Sequence, residues 1–134
     1  MRLAEFEGSW RIERRIVDRA GGPDGRLEGR ALFAPDGQGL TYDEEGRLRF
    51  GDGPAFTANR RYLWRETAEG FEIRFADGRF FHRFDPAAPE AGHPCRADLY
   101  RVRYDFSTWP HWRAEWRVTG PRKDYVMTTG YRRG

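Results

Sequence analysis

Apolar and polar residues alternate with a period of two along most of this chain, and Gly, Pro and Asp interrupt the alternation at short intervals. Such spacing belongs to short strands of a sandwich or barrel. It predicts ten strands, at residues 9–18, 26–35, 39–44, 47–51, 55–66, 71–76, 79–85, 95–106, 111–119 and 124–133. The breaks between them include Gly21-Gly22-Pro23-Asp24-Gly25, Asp36-Gly37, Glu45-Gly46, Glu69-Gly70 and Asp77-Gly78, which supply the positive φ of tight hairpins. No segment keeps a helical period. Leu3-Ala4-Glu5-Phe6 suffices for one helical turn, placed at the floor of a barrel.

Successive strand side chains point to opposite faces, so the more apolar parity is assigned inward. It comprises Trp10, Ile12, Arg14 and Ile16; Leu27, Gly29, Ala31 and Phe33; Phe56, Ala58, Arg60, Tyr62 and Trp64; Phe80, His82 and Phe84; Asp98, Tyr100, Val102 and Tyr104; Trp112, Ala114, Trp116 and Val118; and Tyr125, Met127 and Thr129. This interior is not simply apolar. An unpaired charge in such a place costs several kcal/mol or more, so Arg14, Arg60, His82 and Asp98 must meet each other, phenols or water. Two readings follow: Asp98 neutralises Arg60 in a purely structural network, or the polar groups line a wet cavity.

Composition narrows the class. The 134 residues fit one domain, 1–134, large enough to bury roughly two thirds of its unfolded surface. Ten Phe, six Tyr and five Trp exceed what a small core needs and are expected to line something. The single Cys95 forms no internal bridge, no apolar run approaches a membrane span, and the start Met1-Arg2-Leu3-Ala4-Glu5 is unlike a signal peptide. A cytoplasmic setting is expected. The net charge is only +3, and the arginines alternate along strands instead of clustering, which argues against a nucleic-acid partner.

Strand order also gives the barrel two ends. With the first strand rising, the connections near 18–25, 45–46, 67–70, 86–94 and 120–123 are expected together at an open upper rim, with His93, Arg122 and Lys123 at the mouth. Arg122 and Lys123 suit an anionic group there, or form a solvated hairpin tip. Asp77-Gly78-Arg79 reads as a tight turn, its arginine over the lower barrel edge. His82, His93, Cys95 and Asp98 carry metal-ligand atoms, but their spacing matches no metal motif. No metal and no cofactor is expected.

Gly8-Ser9-Trp10 near one end and Tyr131-Arg132-Arg133 near the other would let a terminal cation cover the Trp10 ring. With the up-and-down order, this resembles the calycin superfamily of lipocalins, fatty-acid-binding proteins and ten-stranded nitrobindin-like barrels. The combination of Gly8-Ser9-Trp10, Gly39-Leu40-Thr41-Tyr42, Arg61-Tyr62-Leu63-Trp64, Phe75 to His82, His93 to Tyr100 and Gly120-Pro121-Arg122-Lys123-Asp124 is similar to an uncharacterised family of small bacterial proteins of unknown function, over nearly the whole chain. The calycin likeness implies a cavity for a small, largely apolar or aromatic molecule; its nitrobindin-like members would suggest haem on His82 or His93, which no motif here supports. The polar interior departs from a plain fatty-acid carrier.

The fold expected is therefore all-β, a single up-and-down antiparallel barrel of about ten strands with a short N-terminal helical turn closing one end. Its expected activity is reversible binding of a small acidic or aromatic molecule by Tyr42, Arg60, Tyr62, Trp64, His82, His93, Asp98, Tyr100, Arg122 and Lys123. An enzyme of isomerase, dehydratase or hydrolase type is the alternative, with His82 as general base, Asp98 orienting it and Tyr62 or Tyr100 donating to an oxyanion. A third possibility is that the outer aromatic and arginine-rich face docks a protein.

Overall fold

A computed structural model describes residues 1–95 and 98–134, with side chains described outside 92–97. The alternating segments form ten antiparallel strands: β1 (Gly8–Asp18), β2 (Gly25–Pro35), β3 (Leu40–Phe50), β4 (Phe56–Thr67), β5 (Gly70–Phe75), β6 (Phe80–Phe84), β7 (Glu90–Cys95), β8 (Asp98–Thr108), β9 (His111–Gly120) and β10 (Lys123–Arg133). A 3-10 turn, Leu3–Phe6, precedes them. Their order, β6-β5-β4-β3-β2-β1-β10-β9-β8-β7, joins the two ends of the chain through the β1–β10 ladder. β6 and β7 are the ends of the sheet and meet at a seam, with a single bridge, Asp85–Ala88, at its foot. The result is a nearly closed up-and-down barrel, the architecture the alternation implied.

The count of ten is correct through two errors that cancel. Glu45-Gly46 is not a hairpin: β3 runs straight through it, pairing Gly46 with Gly29 on β2 and Ala58 on β4. Glycine is needed there for proximity. A Cβ on Gly29 would lie 2.0 Å from the Glu45 carbonyl oxygen, and one on Gly46 2.7 Å from that of Glu28. A bare strand glycine marks such a close backbone approach. The missing strand lies in the segment expected to be a loop, where β7 pairs with β8 from Glu90–Arg103 to Cys95–Asp98.

These corrections invert part of the barrel. With β1 rising, the connections at 19–24, 51–55, 76–79 and 121–122 lie at the upper end, and those at 36–39, 68–69, 85–89 and 109–110 at the lower. Thus 67–70 and most of 86–94 leave the expected rim, 45–46 lies within a strand, and the Asp77-Gly78-Arg79 turn is at the upper edge. There Arg79 binds Asp77 at 2.7 Å and covers the Phe75 ring at 5.5 Å.

One strand departs from strict parity. β5 and β6 pair Ile73 with His82 but Arg74 with Phe80, a bulge that leaves Phe81 as the extra residue. Phe81 and His82 are consequently both buried, and Phe80, expected inward, is exposed.

The lower end is sealed by rings. The 3-10 turn places Phe6 within 5.8 Å, centroid to centroid, of Phe33, Trp64, Phe71, Phe106, Trp109 and Trp112. The Trp10 indole donates to the Phe6 carbonyl at 2.8 Å. Arg133 lies 3.9 Å above the Trp10 ring and donates to the Glu7 and Glu5 carbonyls. The cation expected over Trp10 is Arg133. On the other side of the turn, Glu66 accepts from Arg2 and from the Leu3 backbone.

Candidate functional site

Inward side chains change character along the barrel. In the lower half Trp10, Phe33, Trp64, Phe71, Phe84 and Trp112 are all at most 4% exposed. In the upper half Ile16, Leu48, Ala58, Arg60, Tyr62, Phe75, Tyr100, Trp116 and Tyr125 point inward yet are only half-buried. Inward residues that water still reaches define a funnel, open above and closed below. Its wall is largely aromatic, with Tyr62 and Tyr100 6.0 and 6.3 Å from Trp116 and Tyr62 6.3 Å from Phe75.

Polar groups form a layer between funnel and floor. Arg14 from β1 makes a two-pronged ion pair with Glu44 from β3, at 2.5 and 2.8 Å, and donates through Nε to the Thr129 hydroxyl at 2.7 Å. Tyr42 donates to the same carboxylate at 2.5 Å, and its hydroxyl is 2.9 Å from that of Tyr131. Tyr131 in turn stacks flat on Trp112, 3.7 Å between centroids. All five of Arg14, Tyr42, Glu44, Thr129 and Tyr131 are buried.

Burial works against both charges of the pair. It pushes Glu44 toward its protonated form, but the Arg14 hydrogen bonds and charge outweigh it and hold the carboxyl below its ordinary value. Likewise burial lowers the affinity of the Arg14 guanidinium for its proton, but the Glu44 hydrogen bonds and charge more than offset this and raise it above its ordinary value. The phenols stay protonated: burial first, then neighbouring charge, raises Tyr42, and Tyr131 reaches about 12. Tyr104, raised mainly by burial, and Tyr62, raised by burial despite Arg60, are hydroxyl donors as well.

Among these groups lies a cavity of about 20 Å³, lined by Arg14, Tyr42, Glu44, Arg60, Tyr62, Trp64, Ile73, Tyr104, Ala114, Trp116, Met127, Thr129 and Tyr131. That is room for about one water molecule. Arg60 stands at its upper side, with its guanidinium 5.7 Å from the Trp116 ring centre and Nη2 3.8 Å from the Met127 sulfur.

Of the expected ligand-binding residues, Tyr42, Arg60, Tyr62 and Trp64 line this cavity. The expected catalytic dyad is not assembled. His82 is buried in the interior, as expected, but with Nε2 2.9 Å from the Tyr104 hydroxyl, while Asp98 is at the rim, 3.0 Å from the ammonium of Lys123. Asp98 therefore neutralises Lys123 and not Arg60; Glu44 carries the interior negative charge. Tyr100 packs against Phe81 at 5.5 Å on the upper wall, and Arg122 is exposed in the β9–β10 turn. The His93 backbone pairs with Tyr100, while its side chain and that of Cys95 lie outside the described residues. Among the described residues, no three His, Cys, Asp or Glu side chains are grouped as a metal would need, and no helix is long and apolar enough to cross a membrane.

The sequence reading omitted Glu44, although parity with Tyr42 points it inward; it also left Tyr104, Trp116, Met127 and Thr129 on the inward face without a role. The false break at Glu45-Gly46 hid Glu44, because it made that residue the end of a strand.

Fold and interior together define an antiparallel up-and-down barrel, sealed at one end, with a polar layer beneath an aromatic funnel. The chain belongs to the DUF6314 family, a family of unknown function, which matches residues 6–133. Among solved structures it is similar to the S-type phycobiliprotein lyase CPES from Guillardia theta, at 10% sequence identity and a TM-score of 0.69, over 98% of this chain and 90% of that one. At that identity the likeness is one of fold. No curated protein matches the sequence.

Proposed function

We propose that the barrel reversibly binds a small acidic or aromatic molecule in its upper funnel. The observation that supports this is the difference in exposure between inward side chains: Tyr62, Phe75, Tyr100, Trp116 and Tyr125 of the upper half are half-buried, while Trp10, Phe33, Trp64, Phe71, Phe84 and Trp112 of the lower half are buried. Aromatic walls with a few placed polar donors are the usual lining of a small-molecule site. The fold shared with a barrel named as a lyase of phycobiliproteins is compatible with this reading. A ligand would occupy the funnel and not the cavity beneath it, whose 20 Å³ is too small.

Native mass spectrometry and a thermal-shift screen of small aromatic acids, phenols and neutral arenes test this reading. Ala58 is inward and half-buried in the funnel, so Ala58→Trp plugs it while leaving the floor intact. Retention or stabilisation by members of the screen in wild type, lost in Ala58→Trp, is expected. Equal behaviour of the two proteins would overturn it.

The nearly filled lower barrel favours a second reading, in which the chain works as a protein-interaction module through its outer face. A well-folded protein that takes up no member of the screen is the outcome that selects it. The isomerase, dehydratase or hydrolase alternative loses its proposed His82–Asp98 dyad to the pairings described above.

A further inference from the structure

Above the floor, two of the cations at inward strand positions already have a carboxylate. Arg14 has Glu44, and Lys123 has Asp98. Arg60 is a third cation there, and among the described residues no carboxylate forms an ion pair with it. It touches a thioether and the face of Trp116. Glu44 does feel its charge, since Arg60 helps to hold that carboxyl ionised, but both Glu44 oxygens are engaged by Arg14. Two guanidiniums and one carboxylate leave the layer under the funnel with one uncompensated positive charge.

Above Arg60 the β1–β4 wall is apolar. Phe50 and Phe56 stand at the upper ends of β3 and β4 with ring centroids 6.5 Å apart. The Phe50 ring lies over bare Gly25, where a Cβ would approach it to 2.7 Å. Both phenylalanines are exposed, at 39% and 47%. Trp116 on β9 and Tyr100 on β8 stand on the other side, their ring centroids 6.3 Å apart. Charge is thus wanted at the bottom of the funnel and apolar surface at its mouth.

Resting on the reading that the funnel binds a small molecule, we infer that its ligand is a monoanion with an apolar or aromatic body, which enters anionic group first. The carboxylate, or an equivalent singly charged oxyanion, meets the Arg60 guanidinium, and the body lies between Phe50 and Phe56 on one side and Trp116 on the other. A guanidinium recognises an oxyanion through paired N–H donors, and nearby phenols supply further hydroxyl donors. A second anionic group on the same ligand would fall in the apolar mouth and be penalised for its lost hydration.

Isothermal titration with three probes tests this: 2-naphthoate, its neutral amide 2-naphthamide, and naphthalene-2,6-dicarboxylate. Wild type is expected to bind 2-naphthoate at least about tenfold more tightly than the amide, in line with a charged hydrogen bond, and more tightly than the dicarboxylate. Arg60→Met keeps most of the length of the side chain and removes its charge; it should bind the two monosubstituted probes equally, while Arg60→Lys retains part of the preference. Because Arg60 is half-buried, both variants are expected to keep the wild-type circular dichroism and melting cooperativity. Equal affinity of wild type for naphthoate and amide, or a preference that survives in Arg60→Met, overturns the inference while leaving the funnel a binding site. If none of the probes binds, the funnel reading and this inference fall together.

Discussion

Glu44 is the residue on which most of the interior depends, since it accepts from Arg14 twice and from Tyr42 once. Removing one partner of a buried ion pair leaves the other uncompensated, so Glu44→Gln should lose about 3–5 kcal/mol, measured by urea unfolding. Replacing both, as in Arg14→Met with Glu44→Leu, should recover most of that loss, because two apolar chains need no hydration to be offset. Protonation offers a second measurement. The folded carboxyl titrates below the ordinary value of 4.5, so an unfolded chain takes up its proton first on acidification. The stability Glu44 contributes is complete above that ordinary value and disappears as pH falls through the depressed folded one. Wild type should therefore weaken more steeply than the double variant as pH falls below the ordinary carboxyl value; parallel curves would show that the pair does not set the acid limit. Glu44 was within reach of the sequence through its parity with Tyr42. Its pairing with Arg14 was not, because two residues 30 positions apart meet only once strand register is known.

Alternation identified most inward faces correctly, and it failed where a backbone feature carries no unambiguous sequence signal. A glycine beside an acidic residue reads equally as a hairpin or as a flat place in a strand. At Glu45-Gly46 the second is right, since the opposed backbones of β2 and β3 leave no space for a Cβ. Gly29→Ala should consequently destabilise by about 1–3 kcal/mol, as an overpacked site does. Gly130, where nothing lies within 4 Å of the place a Cβ would take, is the matched control: Gly130→Ala should remain within about 0.5 kcal/mol of wild type. Equal effects in thermal melts would refute the close approach. The Phe81 bulge is a second such place. Strict parity makes Phe80 the core residue and Phe81 the exposed one, whereas the structure reverses them. Phe81→Ala should lose about 3–5 kcal/mol, as large core truncations do, while Phe80→Ser should be nearly silent. The opposite ranking would restore unbroken alternation. The false break and the overlooked β7 offset one another in number and direction, so β8, β9 and β10 were oriented correctly although 47–85 was inverted.

Across the whole molecule, the two ends of the barrel differ because the two ends of the chain are both spent on one of them. The 3-10 turn supplies Phe6 as the plug, β1 supplies Trp10 beside it, and β10 returns Arg133 to cover Trp10 and hold the carbonyls of Glu5 and Glu7. Nothing comparable crosses the upper end among the described residues, where Tyr62, Phe75, Tyr100, Trp116 and Tyr125 stay partly accessible. A site for a small molecule therefore has one entrance, and the floor can be loosened without touching it. Arg133→Gln removes the cation from Trp10 and weakens its grip on the turn, which should reduce stability by about 1–3 kcal/mol. The Trp10 indole N–H reports where that loss falls, since it is buried and donates to the Phe6 carbonyl. Its hydrogen exchange, followed by NMR, should accelerate in Arg133→Gln, while 2-naphthoate affinity at the other end remains that of wild type. Opening energies vary along a structure in this manner when contacts are confined to one region. An unchanged indole exchange rate would mean that Phe6 seals the floor without the C-terminal strand, and a parallel loss of naphthoate affinity would mean that floor and funnel do not act as separate parts.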